Sequence, residues 1–560
     1  MIDVFPPVLV LLLGAVLLGV FRGSLRTAVV LVAPLLTLWA IWQVPDGVSM
    51  TVPFLDFRAE PLEGSAVGRL FATIFAGMAL MGGLFSYRQA SALELAASYA
   101  YAASAVGIAF AGDLLTLFVF WEAMAIFSTV VVWCGGTDSA RRAGIRYAII
   151  HLLGGVLLMV GIAGVVFSSG SIDIQPMRAD SFAAWLVLIG ILINAAAPPF
   201  SFWLPDAYPE ASPTGAVFLS AFTTKSAVLA LIVLFPGEPI LIAVGLYMIF
   251  YGIIYALLEN DARRILAYSI VNQVGFMVCA VGIGTELALN GAAAHAFAHI
   301  IYKALLLMSA GVVLYRTQKR NCTDLGGLFR TMPITCVCGI IGALSISSFP
   351  LTSGFTTKAL ISEASKMEGM VAVYFLLAAA SAGVFLHAGI KFPWFVFFQK
   401  DSGMRPPDAP WNMGAAMVLM SLFCLVLGIW PGWFYALLPY PVDYQAYTAG
   451  NVLFYLQLLL FSGLAFFLLL PLMKRTTTIT LDWDWLWRAW LFRRWRGLNA
   501  AWTANLARLR RATTSRLYPA LGRAAAYWHS GGVFSRSWTI GTTALWIVVL
   551  LSAYVFIYYL

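Results

Sequence analysis

In the stretch HAFAHIIYKALLL, His295, His299 and Lys303 follow one another at i, i+4 and i+8, a spacing that puts all three on one face of a helix. Two are imidazoles, which exchange protons near neutral pH. The third is an amine that releases its proton when desolvated or when a neighbouring charge changes. A face of that kind can relay protons through intervening water. His387 and Lys391 repeat the i, i+4 pairing near the end of a later apolar run, where extension of the lysine to lipid headgroups competes with a place in the same relay. His151 stands alone and reads as packing.

The chain has eight lysines, and four of them, Lys225, Lys303, Lys358 and Lys391, fall inside apolar runs, whereas no arginine lies near the middle of one. A charge buried in a bilayer is costly, so chance placement is disfavoured. Fixed positive charge could come from arginine; lysine adds a proton that can leave. Glu122, in LLTLFVFWEAMAIFSTVVVW, is the carboxylate in the interior of a run, with Asp113 and Glu94 nearer run ends. It reads as a partner for a buried lysine, because moving a proton on or off one member changes the proton affinity of the other and couples successive steps.

The elements that hold these groups must cross a bilayer. The 560 residues are 61% hydrophobic and 11% charged, with mean hydropathy +0.88, too little polar surface for a water-soluble fold of this length. Runs of about twenty apolar residues, enough to cross the hydrocarbon layer, recur about sixteen times, from 5–21 to 539–560. The first lacks a small-residue cleavage site and is followed at once by a second run, so it reads as a retained helix. The expected fold is an all-α polytopic membrane protein.

The net charge of +9 sits in alternate loops, as orientation in a membrane requires and nucleic-acid binding does not. Loops after odd-numbered runs hold fourteen Lys/Arg, including Arg141, Arg142, Arg146, Arg263, Arg264 and Arg320, and the others hold four, Arg58, Arg69, Arg178 and Lys366. That asymmetry places the odd loops in the cytoplasm. Asp261, Arg263 and Arg264 read as orientation charges at the start of a span. The six cysteines form no CxxC pair and have no histidine nearby, so neither zinc, an iron–sulfur cluster, another cofactor nor a disulfide framework is suggested.

Two spans read as broken, one in ILINAAAPPFSFWLP with Pro198, Pro199 and Pro205, the other in ISSFPLTSGFTTKAL with Pro350, Ser353 and Gly354. A break frees backbone amides and carbonyls, tolerable only where they face protein or a wet cavity; in transporters, paired breaks mark the ion path and an internal repeat. From Lys474 to Arg536 there are twelve Lys/Arg, with tryptophans at 483, 485, 487, 490, 495 and 502. Basic residues interleaved with aromatics predict a helix in the headgroup layer, bound to anionic lipid or docked on another subunit.

The sequence resembles the antiporter-like membrane subunits shared by Mrp-type multisubunit Na+/H+ antiporters and respiratory complex I. The resemblance covers about residues 66–400 and rests on FVFWEAMAI, PPFSFWLPDAYPEASPT, TTKSAV, DARRILAYSIVNQVG, HAFAHIIYKALL and SFPLTSGFTTK, in that order and spacing. RNCTDLGGLFRTMP and LQLLLFSGLAFFLLLPL are more similar to the D component of the Mrp type than to a complex I subunit. The family implies a core of about fourteen helices with two inverted five-helix repeats and broken helices, plus extra C-terminal helices here. Mapped on this chain, it gives N-terminal transmembrane helices at 1–112, repeats at 113–235 and 264–398 joined by a connecting helix at 236–263, C-terminal core helices at 399–471, the basic aromatic-rich segment at 472–538 and a final helix at 539–560.

By the resemblance, Glu122 and Lys225 belong to the first half-channel, His295, His299 and Lys303 to the connection between halves, and Lys358 to the other half-channel. The chain departs from the pattern at Asn194, where many relatives carry a lysine; an amide orients water but does not titrate. Lys225 is then the nearest motif-supported base for Glu122.

The expected function is that of a membrane subunit of a Na+ or K+/proton antiporter in a bacterial cell membrane, with other subunits of a hetero-oligomer, membrane lipid, H+ and the cation as partners. It is an ion-transporter subunit rather than a stand-alone enzyme. No acidic cluster suited to a bare cation is visible, so cation movement would draw on other subunits. Two rivals are a proton-pumping arm of a quinone- or hydrogenase-linked redox complex and a coupling subunit for uptake of another solute, such as inorganic carbon. Nothing matches a nucleophile elbow, a phosphate loop or a metal site.

Overall fold

Inside a bilayer every backbone N–H and C=O must be satisfied by the chain itself, which selects helices. The computed structural model describes residues 4–471, 482–529 and 540–558. Its helices are α1 Pro7–Val20, α2 Gly23–Ile41, α3 Ala66–Ser86, α4 Ala92–Ala109, α5 Leu114–Trp133, α6 Asp138–Ser169, α7 Phe182–Asn194, α8 Trp203–Ala207, α9 Gly215–Leu219, α10 Thr223–Leu234, α11 Ile240–Leu258 and α12 Ala262–Ile283. There follow α13 Glu286–Thr317, α14 Pro333–Ile346, α15 Ser353–Met367, α16 Val371–Val384, α17 Trp411–Ile429, α18 Pro431–Tyr435, α19 Ala449–Leu469, α20 Phe492–His529 and α21 Ile540–Tyr558. Among the described residues, thirteen helical segments are long and apolar enough to cross a membrane, and α1, α7 and α14 are shorter apolar helices. Together they occupy the places of the sixteen apolar runs. The protein is a multi-pass, predominantly helical membrane protein.

Short side chains start many of the helices. Ser65, Ser91, Asp113, Thr137, Ser181, Asp261 and Thr285 each accept a hydrogen bond from a backbone amide in the first turn that follows, meeting donors that have no partner within the helix. Depth in the bundle is graded. The apolar windows of α12 and α13 are 100% and 89% buried, against 22% for α19. The central helices α10, α12 and α13 pack on one another and carry Lys225, His295, His299 and Lys303.

One element was not anticipated. Strands β1 (Gly47–Phe54) and β2 (Phe57–Gly64) form an antiparallel hairpin between α2 and α3. It docks on the head of α5, where Asp113 accepts from the Glu60 amide at 2.7 Å and from the Thr116 hydroxyl at 2.6 Å.

Contacts sort the loops into two faces. On one face Arg146 pairs with Asp206 at 2.6 Å, Arg320 with Glu210 and Asp261 at 2.8 Å each, and Arg264 with Glu259 at 3.0 Å. On the other lie Arg69 paired with Asp46, the hairpin, and Arg178 donating to the Gly237 carbonyl. The partition is the one the basic loops predict. Orientation does not describe Arg263, however. It is 2% exposed and donates to the carbonyls of Pro209, Ala211, Tyr208 and Ser212 at 2.8, 2.9, 3.2 and 3.0 Å. It therefore fixes the loop that follows α8. Beside it, burial opposes ionisation of Glu210, but the Arg320 hydrogen bond and charge win and hold its carboxyl below the ordinary value.

The chain divides into two compact units, Met1–Trp483 and Asp484–Leu560. Within the first, Asp482 accepts from the hydroxyls of Tyr251 and Tyr268. In the second, α20 is a 38-residue helix that carries Arg493, Arg494, Arg496, Arg508, Arg510, Arg511 and Arg523; the parts of the expected basic segment at 472–481 and 530–538 lie outside the described residues.

Candidate functional site

The breaks set the site. After α9 the chain leaves helical pairing at Ser220–Phe222 and re-enters it in α10; after α14 it does so at Ser347–Thr352 before α15. A carbonyl at each of these two breaks is capped by a lysine; the expected break at Pro198 and Pro199, between α7 and α8, is bridged instead by Trp203 Nε1, which donates to the Ile193 carbonyl at 2.9 Å. Lys225 Nζ donates to the Ser220 carbonyl at 2.6 Å and to Thr224 Oγ1 at 3.0 Å. Lys358 Nζ donates to the Ile346 carbonyl at 2.8 Å and stands 4.7 Å over the Phe276 ring. Lys303 Nζ donates to Ser269 Oγ at 2.9 Å and to the Leu266 carbonyl at 3.4 Å. None of the three meets a carboxylate, and each is at most 1% exposed.

The α13 face lines up as the spacing predicts. His295 lies within 3.0 Å of Thr357 Oγ1 at Nδ1 and 3.1 Å of Gln273 Oε1 at Nε2, and Tyr302 donates to the same Gln273 oxygen at 3.1 Å. Thr357 is the neighbour of Lys358, so this imidazole joins the face to the second break. His299 has no protein partner at either ring nitrogen, although its ring lies 5.3 Å from that of Tyr302 and 6.4 Å from that of His295. Buried polar atoms without a protein partner are satisfied by water.

Glu122 stands apart from the lysines. The expected direct partnership with Lys225 is not formed, because that amine is taken up by the carbonyl its own break sets free. The Glu122 carboxylate instead lies against Gly155 of α6, where a β-carbon would overlap it, and its Oε1 has no protein partner. Asn194, the last residue of α7, accepts from His151 at 2.7 Å. His151 packs against two rings, 4.1 Å from Tyr147 and 4.6 Å from Trp203, as well as bonding to Asn194, and its Nε2 is unpartnered.

Lys391 does not extend to the headgroups. It ends a π-helical stretch, Phe385–Lys391, and donates to the carbonyls of Ala256, Leu257 and Glu259 at 3.1, 2.6 and 2.6 Å, closing the end of α11. His387 bonds the Gly383 carbonyl at 2.9 Å, and its Nε2 is unpartnered. A π turn re-aims side chains relative to an α-helix, and here it brings Lys391 inward. Among the described residues, no group of three or more His, Cys, Asp or Glu is placed to hold a metal ion.

Comparison with known proteins gives this arrangement a context. Residues 111–386, the stretch that holds Glu122, both broken helices and the α13 face, match the NADH:quinone oxidoreductase/Mrp antiporter transmembrane family. The D component of the Na+/H+ antiporter of Alkalihalophilus pseudofirmus is 30% identical over 346 residues, 57% of this chain and 67% of that one. The chain belongs to this family.

Further relatives align over a similar share of the chain. An uncharacterized protein of Methanocaldococcus jannaschii is 26% identical over 59% of this chain and 73% of its own length. The A/B component of a probable K+/H+ antiporter of Rhizobium meliloti is 30% identical over 59% of this chain, which spans only 36% of that longer protein. Among solved structures, a chain of the Mrp complex from Dietzia sp. superposes with TM-score 0.66 at 22% identity, covering 77% of this chain and 91% of that one. A chain of the membrane-bound sulfane sulfur reductase, an archaeal respiratory membrane complex, gives TM-score 0.70 at 22% identity and covers 98% and 99%. At that identity the likeness is one of fold.

The sequence offers no local signal for two of the site's residues. Gly155 has no side chain, and the partner of His151 is 43 positions away.

Proposed function

We propose that this antiporter-like protein conducts protons across the bacterial cell membrane as part of a hetero-oligomeric monovalent cation/proton antiporter. The observation that carries the reading is the buried lysine on a backbone carbonyl at each of two helix breaks, Ser220–Phe222 and Ser347–Thr352. A lysine so placed is held by dipoles rather than by a fixed counter-charge, so its proton can leave without stranding a carboxylate.

The path runs from Glu122 and Lys225 in the first half, through His299, His295 and Lys303 on α13, to Lys358 at the second break. Water is the carrier that links the unpartnered nitrogens and oxygens along it. Lys391 anchors the junction between α11 and the π-helical stretch, with His387 one turn away. Relatives carry both Na+ and K+ in their names, and the cation is one of these. Its passage draws on partner subunits, since among the described residues no group of three or more His, Cys, Asp or Glu is placed to hold a cation. α20, basic and rich in tryptophan, meets anionic headgroups or a neighbouring subunit.

The test is exchange in everted vesicles of an antiporter-deficient strain that expresses the whole gene cluster. Collapse of an imposed pH gradient on addition of Na+ or K+ is expected. A gradient insensitive to both cations would refute the reading. One observation favours a second reading, a proton-pumping arm of a redox complex: the likeness to the sulfane sulfur reductase chain runs through 98% of this chain, tail included. Co-purifying iron–sulfur subunits would decide for it.

A further inference from the structure

The polar cluster around His151 joins parts of the first half that are otherwise separate. Tyr147, His151 and Gly155 stand at i, i+4 and i+8 on α6, hence on one face. Gly155 seats the Glu122 carboxylate, with Oε1 unpartnered. His151, one turn away, is 1% exposed, bonded to Asn194 at Nδ1 and unpartnered at Nε2. Tyr147, a further turn on, donates to Ser128 Oγ at 2.9 Å and lies 3.5 Å from Thr223 Oγ1. Thr223 is bonded to Tyr101 at 2.5 Å and opens α10, where the next hydroxyl, Thr224, holds Lys225. Carboxylate, imidazole and hydroxyl thus succeed one another toward the lysine, as histidine, histidine and lysine do on α13.

We propose that His151 is a proton-carrying residue of the first half-channel, standing between Glu122 and the hydroxyls beside Lys225. With Asn194 Oδ1 accepting, Nδ1 keeps its hydrogen and the Nε2 lone pair is the group that works. A proton lost by the Glu122 carboxyl passes through water to Nε2 and gives an imidazolium; release from Nε2 toward the Tyr147–Thr223 hydroxyls restores the lone pair. Asn194 holds the ring in one tautomer through the cycle. A ring that served only for packing would be met as well by phenylalanine, without an amide aimed at it. The inference rests on the proposed proton path and adds to it the residue that spans the gap between Glu122 and Lys225.

The test is cation-dependent proton exchange by the assembled complex with His151→Gln, at assembly verified equal by co-purification of partner subunits. Glutamine can donate to Asn194 but cannot carry a proton. Exchange is expected to fall by about 10²-fold or more, the usual scale for a lost proton-transfer group, and to recover in part in the double variant His151→Gln/Asn194→Lys, which returns a titratable amine to the neighbouring position. Undiminished exchange in His151→Gln, or loss that the added lysine does not relieve, overturns the proposal. Failure of the broader reading would look different, since the wild-type complex would then show no exchange at all.

Discussion

Lys225 and Lys358 make the same kind of bond: each reaches from the helix after a break to a backbone carbonyl at that break, Ser220 at 2.6 Å and Ile346 at 2.8 Å. An ammonium there satisfies a backbone oxygen that lipid could not. A neutral amine can still donate to it. The bond therefore survives protonation and deprotonation, which is the property a relay group needs.

The seat of Glu122 gives a first prediction. Gly155→Ala places a methyl group where the carboxylate lies, so the complex should assemble and lose exchange by about 10²-fold, as small misplacements of reacting groups do. Gly77→Ala, with open space around its β-carbon, is the control and should be neutral. Equal exchange by the two variants would show that the position of Glu122 is immaterial.

Arg263 and Arg264 adjoin in sequence and differ in consequence. Arg263→Ala removes four hydrogen bonds and leaves the Tyr208 and Ala211 carbonyls without their donor, whereas Pro209 keeps Arg320 and Ser212 keeps the Ala216 amide; at about 1–3 kcal/mol for each that stays unsatisfied, it should lower the melting temperature of the detergent-solubilised protein clearly. Arg264→Ala removes one ion pair. Melting is the measurement, and a larger drop for Arg264 than for Arg263 would contradict the carbonyl-binding role.

How much of this was legible depends on which solvent each residue answers to. Apolar runs such as 66–86 and 92–110 could be read with near-final limits because lipid selects them residue by residue. Pro198 and Pro350 announced two interruptions, but Ser220–Phe222 has neither proline nor glycine, and its break arises from packing. The hairpin at Gly47–Gly64 is held by the head of α5, a contact that no local pattern encodes. Lys391 looked like a headgroup-seeking lysine at a run's end, until the π turn, a tertiary effect, carried it to α11.

Lys391 supplies a third prediction. Its ammonium closes the carbonyls of Ala256, Leu257 and Glu259, so Lys391→Met should destabilise the fold by about 1–3 kcal/mol or more, while Lys391→Arg keeps donors and charge and should retain exchange. Thermal melting and vesicle transport check the two parts. Abolished transport in a stably folded Lys391→Arg would instead make this amine a proton carrier.

Glu210 predicts a pH effect on stability. Because Arg320 holds its carboxyl below the ordinary value against the opposing effect of burial, its contribution is present above the ordinary glutamate pKa and is lost as pH falls through the lower folded value. The stability gap between wild type and Glu210→Gln should be full at neutral pH and close on acidification below about pH 4. A gap that widened in acid would reverse the assigned sign.

The most direct measurement is cation-dependent proton exchange in everted vesicles carrying the whole complex, wild type against Glu122→Gln, Lys225→Ala and Lys358→Ala at equal expression. The account predicts that Na+- or K+-driven exchange is lost in all three. Undiminished exchange in any of them would contradict a proton path through the two broken helices.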